Sequence, residues 1–341
     1  LNYKKMGGRA IKSSRRFLRN EYFEAVGTLV PKVKELFNTD DVHVVQSLLL
    51  KDSFGDMDVL IKTTDEMSDI RQLIIDCFGN VEISRNSNVW SIDYNGLQVD
   101  LILTHKSNYE TAKIFFSYND LGNFVGKLVN NYGKLTSIRL RYGFDGLKFS
   151  VFEPNTRNNI GHVYLTKDMS KVFDFFQLSW DRFLEGFNTI EDVFAYVQTS
   201  PYFDSESFEY ENLNHINKQR NKKRPNYYYF LEWMKTNNVK VKCEFPYEED
   251  YYINKLFYFF SPDGSVKKEM ERIIALHDLK KHVASLFNGS HVMEAFNLQG
   301  KDITNKMAEY KETFGGFDKY SEFIMCNSLD SILFDFKSKV L

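Results

Sequence analysis

The sequence predicts an α+β protein: a mixed sheet with helices on one face, followed by a mainly helical C-terminal part. Three observations carry that expectation. Short runs rich in Val, Ile and Leu crowd between residues 42 and 104. Asn95-Gly96 joins two of them with the strongest short-range hairpin signal, favouring a type I′ turn. Beyond Phe116 the apolar residues recur mostly at helical spacing. With 341 residues, 43% hydrophobic and 26% charged, the chain has an ordinary globular balance. Its length provides for about two domains, and the expected break falls near residue 165, giving units 1–165 and 166–341.

Taken in order, residues 1–20 hold seven basic side chains (Lys4, Lys5, Arg9, Lys12, Arg15, Arg16, Arg19) and no acid. They read as a solvated arm or as a contact for a polyphosphate backbone. From Asn20 to Phe37 the spacing of Phe23, Val26, Val30, Val33, Leu36 and Phe37 predicts an amphipathic helix packed on the sheet. Val42–Val45 is a strand, Gln46–Ser53 a turn or short helix, and Phe54–Lys62 a second strand. A helix over Asp65–Phe78 leads to strands Val81–Ser84, Val89–Tyr94 and Leu97–Thr104. Helices follow at Asn119–Tyr132, Asp168–Phe176, Ser179–Glu185, Ile190–Gln198, Tyr227–Thr236, Tyr252–Phe260, Ser265–Phe287, Asp302–Thr313 and Tyr320–Phe336. Leu140–Val163 has β-like patches, and Asn155–Asn159 and Ser205–Asn217 are polar loops.

Several function classes are excluded. Cys77, Cys243 and Cys326 form no C-x-x-C pair and read as free thiols of a reducing cytoplasm. No apolar run reaches membrane-spanning length, so no membrane partner is expected. The seven histidines show no zinc spacing, and no nucleophile elbow, Walker or Rossmann glycine pattern occurs.

What remains is a set of carboxylates in apolar strands. Asp56 and Asp58 flank Met57 just before Val59-Leu60-Ile61, so both point to one face, about 6.5–7 Å apart along the strand. Asp100 stands in Leu97–Thr104 on the face opposite Leu97, Val99, Leu101 and Leu103, free to join the pair if the strands are neighbours. A carboxylate is costly to bury unless it is paired or binds metal, and three together repel one another. Hard Mg²⁺, held by few carboxylates plus substrate phosphates, is the matching ion. Periodicity alone leaves a second alternative open, that these residues occupy solvated strand ends or a polar sheet face.

The run Ser47…Lys51…Gly55-Asp56-Met57-Asp58-Val59-Leu60-Ile61 resembles the palm signature of the DNA polymerase β-like (family X) nucleotidyltransferases. Asp100 in Gln98-Val99-Asp100-Leu101-Ile102 matches that family's third carboxylate strand, and Phe115-Phe116-Ser117-Tyr118-Asn119-Asp120-Leu121-Gly122-Asn123 is similar to its Y-F-T-G-S-D-x-F-N segment. Phe144-Asp145-Gly146-Leu147 matches more loosely. The resemblance covers about residues 20–150 and implies a palm fold, with Asp56, Asp58 and Asp100 holding two Mg²⁺ ions, or Mn²⁺ in their place. It implies that Ser47, Lys51 and Gly55 meet the triphosphate and that Phe115 and Phe116 wall off the sugar. Asp120 and Asn123 are then expected at the incoming base. Two departures stand out: Gln46 and Tyr118 occupy positions where the family has glycine. With about 45 residues before the motif, the lyase domain of repair members is not expected.

Downstream, Lys218, Arg220, Lys222, Lys223 and Arg224 precede Tyr227-Tyr228-Tyr229-Phe230, a mixture that suits phosphates and unpaired bases as well as a solvated loop entering a helix. Phe287-Asn288-Gly289-Ser290…Gly300-Lys301-Asp302-Ile303…Met307 faintly resembles the helical tail of tRNA CCA-adding and poly(A) polymerase enzymes. The resemblance therefore implies transfer of a nucleoside monophosphate from a triphosphate to a polynucleotide 3′-hydroxyl at a DNA or RNA end, releasing pyrophosphate, with DNA polymerase β-like synthesis favoured by the Phe115-Phe116 wall. The alternatives are an RNA 3′-end nucleotidyltransferase, transfer to a small molecule or protein, and a nucleic-acid-binding protein with a decayed palm. A net charge of −2 then reads as an average over separated patches. The Lys-, Asn-, Phe- and Tyr-rich, Pro-poor composition suits an AT-rich genome such as a phage's, which would place the protein in a host cytoplasm.

Overall fold

The computed structural model describes residues 10–64, 69–136, 138–153, 156, 158–222 and 224–341. Lys4, Lys5, Arg9 and Lys223 lie outside the described residues. A short strand β1 (Phe17–Leu18) leads into helix α1 (Arg19–Phe37), then β2 (Val42–Val44), β3 (Ser53–Phe54) and β4 (Asp56–Thr63). Helix α2 (Ile70–Phe78), β5 (Ile83–Asn86), β6 (Val89–Tyr94) and β7 (Leu97–His105) complete a five-stranded sheet of order β2-β4-β7-β6-β5. β4 and β7 run parallel, and the other pairings are antiparallel. A parallel pair needs a crossover, which α2 and the β5–β6 hairpin supply. The β6–β7 turn has φ of 54° at Asn95 and 88° at Gly96, the left-handed values a type I′ turn requires.

The two faces of this sheet differ. Met57, Val59, Ile61, Val99 and Leu101 form the main core with α1 and α2. Their alternation along β4 and β7 is the period-2 signature of a sheet face packed on helices. On the opposite face, Leu60 and Ile102 lie beneath α3 (Tyr109–Phe116), through Tyr109, Ala112 and Phe116. Helices therefore cover both faces, which corrects the expectation of helices on one face only. The buried stripe of α1 is Tyr22, Ala25, Leu29, Val33 and Phe37, whereas Phe23 is exposed. Val33 and Phe37 are buried as expected and Val26 and Leu36 pack beside them, but in the first turn Tyr22, stacked on Phe54 at 3.8 Å, takes the inward place expected of Phe23.

After α4 (Leu121–Leu135) come β8 (Leu140–Gly143), β9 (Gly146–Phe152) and β10 (Asn159–Thr166), a second sheet of order β10-β9-β8. Helices α5 (Met169–Phe175), α6 (Trp180–Glu185), α7 (Ile190–Gln198), α8 (His215–Asn221), α9 (Pro225–Thr236) and α10 (Glu249–Phe260) follow. Phe124 of α4, Phe194 of α7 and Phe230 of α9 interlock with one another and with Phe208 of the segment before α8. The last helices are α11 (Ser265–Leu286), α12 (Gly289–Phe296), α13 (Lys301–Glu312), α14 (Phe317–Cys326) and α15 (Leu329–Val340). They share a core of Val283, Phe287, Tyr310, Ile324, Ile332 and Phe336. The expected single helix Tyr320–Phe336 is two helices, because Ser328 caps α15 by accepting from the Ser331 N–H.

The chain falls into two compact units, Leu1–Ser150 with Tyr164–Asp263, and Val151–Val163 with Gly264–Leu341. That division differs from a break at residue 165. Helices α5–α10 join the first unit, and the end of β9 and most of β10 join the second.

Candidate active site

The parallel β4–β7 ladder sets Asp58 directly beside Asp100 and Asp56 beside Gln98. Laterally paired residues point to the same side, with strands about 4.8 Å apart. The antiparallel β6–β7 ladder adds Ser91 beside Asp100 and Asp93 beside Gln98. A polar floor of Asp56, Asp58, Gln98, Asp100, Ser91 and Asp93 therefore occupies the amino-terminal half of one sheet face. Leu60 and Ile102, one step along the same face, are covered by α3.

Mutual proximity shows in the electrostatics. Burial first, then the charges of Asp56 and Asp100, push the Asp58 carboxyl up to about 8 against the opposing pull of Lys51. Asp100 is also raised, by burial and by Asp56, while hydrogen bonds from Ser91 and Gln98 act in the opposite direction. The Tyr22 phenol is pushed up by burial and by Asp58 and Asp56. Burial lowers the Lys51 ammonium, with Asp56 and Asp58 opposing that and Arg16 adding to it. Lys51 lies 4.7 Å over the Phe54 ring, and Arg16 donates to the Ser53 carbonyl at 2.8 Å. Arg16, one of the basic residues of the N-terminal arm, thus stands beside Ser53.

Ser47 stands on the chain that continues β2 alongside β4. The Val45 N–H donates to the Asp58 carbonyl at 2.9 Å, and Ser47 follows two residues later. Its hydroxyl is buried and has no hydrogen-bond partner, so its hydrogen-bonding capacity is unused within the fold. Residues 46–50 are pinned by Tyr118 N–H to the Gln46 carbonyl (2.9 Å), Leu49 N–H to Phe187 (2.8 Å) and Leu50 N–H to Asn188 (3.1 Å). Gly55 is buried between β3 and β4.

Phe115 and Phe116 meet edge to face at 5.3 Å at the end of α3, and Phe116 stacks on the exposed Phe144. The following loop turns sharply: Tyr118 and Asn119 have φ of 57° and 62°. Left-handed backbone at Tyr118 is the conformation glycine adopts most easily.

Asp120 and Asn123 meet the downstream basic segment. Arg224 donates to Asp120 Oδ1 at 3.0 Å, Asn226 to Asp120 Oδ2 at 2.8 Å, and Arg220 to Asn123 Oδ1 at 2.9 Å. Residues about a hundred positions apart thus form one polar network, which no local pattern announces. Lys218 donates to the Glu211 carbonyl, and Lys222 is exposed. Of the four aromatics that follow, Tyr227 and Phe230 are core residues, in keeping with the reading of a loop that enters a packed helix, and Tyr228 is exposed.

An all-oxygen set of carboxylates suits a hard divalent cation. Among the described residues, no group of three or more His, Cys, Asp or Glu side chains stands assembled as a cation cage. Both oxygens of Asp100 accept from Gln98 Nε2, at 3.0 and 3.2 Å. A carboxylate oxygen has two lone pairs, so this bonding leaves each oxygen able to take a cation. No helix among the described residues is long and apolar enough to cross a membrane. No family model and no curated protein matches the chain.

Proposed function

We propose that the protein is a divalent-cation-dependent nucleotidyltransferase that joins a nucleoside monophosphate, from its triphosphate, to a polynucleotide 3′-hydroxyl. The observation that carries this reading is the lateral pairing of Asp58 with Asp100, with Asp56 on the same face. Three carboxylates crowded on a half-buried floor are unfavourable without a cation, and the Lys51 ammonium feels the charges of Asp56 and Asp58. In this reading Asp56, Asp58 and Asp100 hold two Mg²⁺ ions. When bound, these lower the pKa of the attacking hydroxyl and neutralise charge on the triphosphate. Ser47 and Lys51 bind phosphate oxygens, and Arg16 stiffens the loop that carries Lys51. Phe115 and Phe116 form an apolar wall against the sugar. The left-handed Tyr118, at a position where family X polymerases have glycine, further supports the resemblance. The network of Asp120, Asn123, Arg220 and Arg224 fixes the loop after that wall.

The test is incubation with Mg²⁺, labelled dNTPs or NTPs, and single-stranded, gapped or tRNA primers. Template-directed extension of DNA supports polymerase-type synthesis, and untemplated addition to RNA moves the assignment to an RNA 3′-end enzyme. Extension by Asp58→Ala and Asp100→Ala at the wild-type rate would falsify the site.

A further inference from the structure

Gln98 is one of the few buried polar side chains of the sheet, only 3% exposed. Its position is set from the other end of the chain. The Oε1 atom accepts from the backbone N–H groups of Ala10 (2.8 Å) and Ile11 (3.1 Å). With that oxygen fixed, the planar amide has one orientation left, and Nε2 faces the two oxygens of Asp100. The donating strap is itself anchored. Ile11 is 2% exposed, Ser13 bonds Asp93 and Glu82, Arg15 N–H donates to the Gly96 carbonyl, and Phe17–Leu18 pairs with Ser53–Phe54. A run of backbone and side-chain contacts therefore connects residues 10–18 to the orientation of one carboxylate.

We infer that Gln98 is a positioning residue for Asp100, held in place by the N-terminal strap, and that the strap thereby sets the affinity of the carboxylate floor for a divalent cation. This rests on the cation-dependent reading of the site. The physical reason is that of outer-shell partners in metal sites: a fixed donor holds a carboxylate in one orientation, so cation binding need not first order it. The strap carries no ligand of its own. It acts by keeping one amide from rotating.

The experiment uses the full chain and Mn²⁺ alone, with free Mn²⁺ counted by electron paramagnetic resonance, and melting followed separately in EDTA. Gln98→Leu should weaken Mn²⁺ binding about 10-fold or more, the range seen when outer-shell partners are removed. Ile11→Ser, which touches no carboxylate and loosens the strap, should weaken it in the same direction. Ile92→Val, a core change on the opposite sheet face, should lower the melting temperature and leave Mn²⁺ affinity unchanged, so that destabilisation alone does not account for the effect. Wild-type Mn²⁺ affinity in either Gln98→Leu or Ile11→Ser, with binding lost in Asp100→Asn, overturns the positioning role and leaves the carboxylate site standing. If the wild type binds Mn²⁺ no better than Asp58→Asn and Asp100→Asn, the cation site itself falls, and the inference with it.

Discussion

Replacing Asp58 with Asn should stabilise the cation-free protein at alkaline pH and change little near pH 4. In the fold the Asp58 carboxyl is pushed from 3.8 to about 8 by burial and by Asp56 and Asp100. A carboxyl that stays protonated in the fold but ionises in the unfolded chain makes the fold lose stability as pH rises between those two values. Below about pH 4 both states hold the proton, and above about pH 8 both have released it, so the loss is complete there. The full gap sets a ceiling of about 6 kcal/mol at about 1.4 kcal/mol per pH unit. Solvent reaches these half-buried groups, so the working figure is about 1–3 kcal/mol. The assay is thermal denaturation in EDTA at pH 5, 7 and 9. At about 2–4 °C per kcal/mol, the wild type should lose several degrees more than Asp58→Asn between pH 5 and 9. Adding Mg²⁺ should restore the wild type at pH 9, because a cation favours the ionised cluster, and leave the variant unmoved. Parallel pH profiles for the two proteins would refute the argument that these carboxylates crowd one another.

Four further outcomes follow from particular contacts. Lys51→Met should raise the KM for the triphosphate about 10-fold or more in primer extension, the cost of losing a charge-assisted contact; an unchanged KM removes Lys51 from the phosphate site. Gly122→Ala should cost about 1–3 kcal/mol in urea denaturation, because a Cβ there would stand 2.3 Å from the Phe115 carbonyl oxygen. Arg224→Ala should cost about 1–3 kcal/mol by leaving Asp120 short of a charged partner, and a neutral result would show the 3.0 Å pair to be idle. Polynucleotide binding should weaken only gently with salt, at a slope near −1 to −3 in log–log terms, since Arg220, Arg224 and Lys218 already have internal partners; a slope steeper than about −5 means that a larger basic surface is in play.

The carboxylate pattern was legible in the sequence because the period of a strand is 2 and because Asp is conspicuous between Met57, Val59 and Leu101. Which strands are neighbours was not, since the parallel pairing of β4 with β7 depends on how an intervening helix and hairpin close. Gln98 escaped notice for a related reason: an isolated Gln in a strand gives no signal until its partners at Ala10 and Ile11 are known. Arg16 looked like one of several arm charges, and its place beside Ser53 comes from the β1–β3 pairing, a two-residue strand too short for periodicity to register. Only the first turn of α1 departs from the expected stripe, because Tyr22 is amphipathic and the Phe54 ring decides that it turns inward. The link between Asp120 and Arg224 spans 104 positions and follows from packing alone.

The placement of the polar floor has a structural cause. In open sheets with parallel strands, ligands commonly bind beyond the carboxyl ends of the strands. Here α3 occupies that end of the face, with Tyr109, Ala112 and Phe116 seated on Leu60 and Ile102. The polar rows are left at the amino ends of β4 and β7, where Asp56 is the first residue of its strand and Gln98 the second of its own. What enters at those ends is the segment 46–55, with Ser47, Lys51 and β3, the Asn95-Gly96 turn, and the strap through residues 10–18. Each can alter a carboxylate without disturbing the core on the other face, because alternate residues of the same strands face opposite ways. Substitutions at Met57, Val59, Val99 and Leu101 should therefore act on stability alone, and those at Asp56, Asp58, Gln98 and Asp100 on cation binding as well.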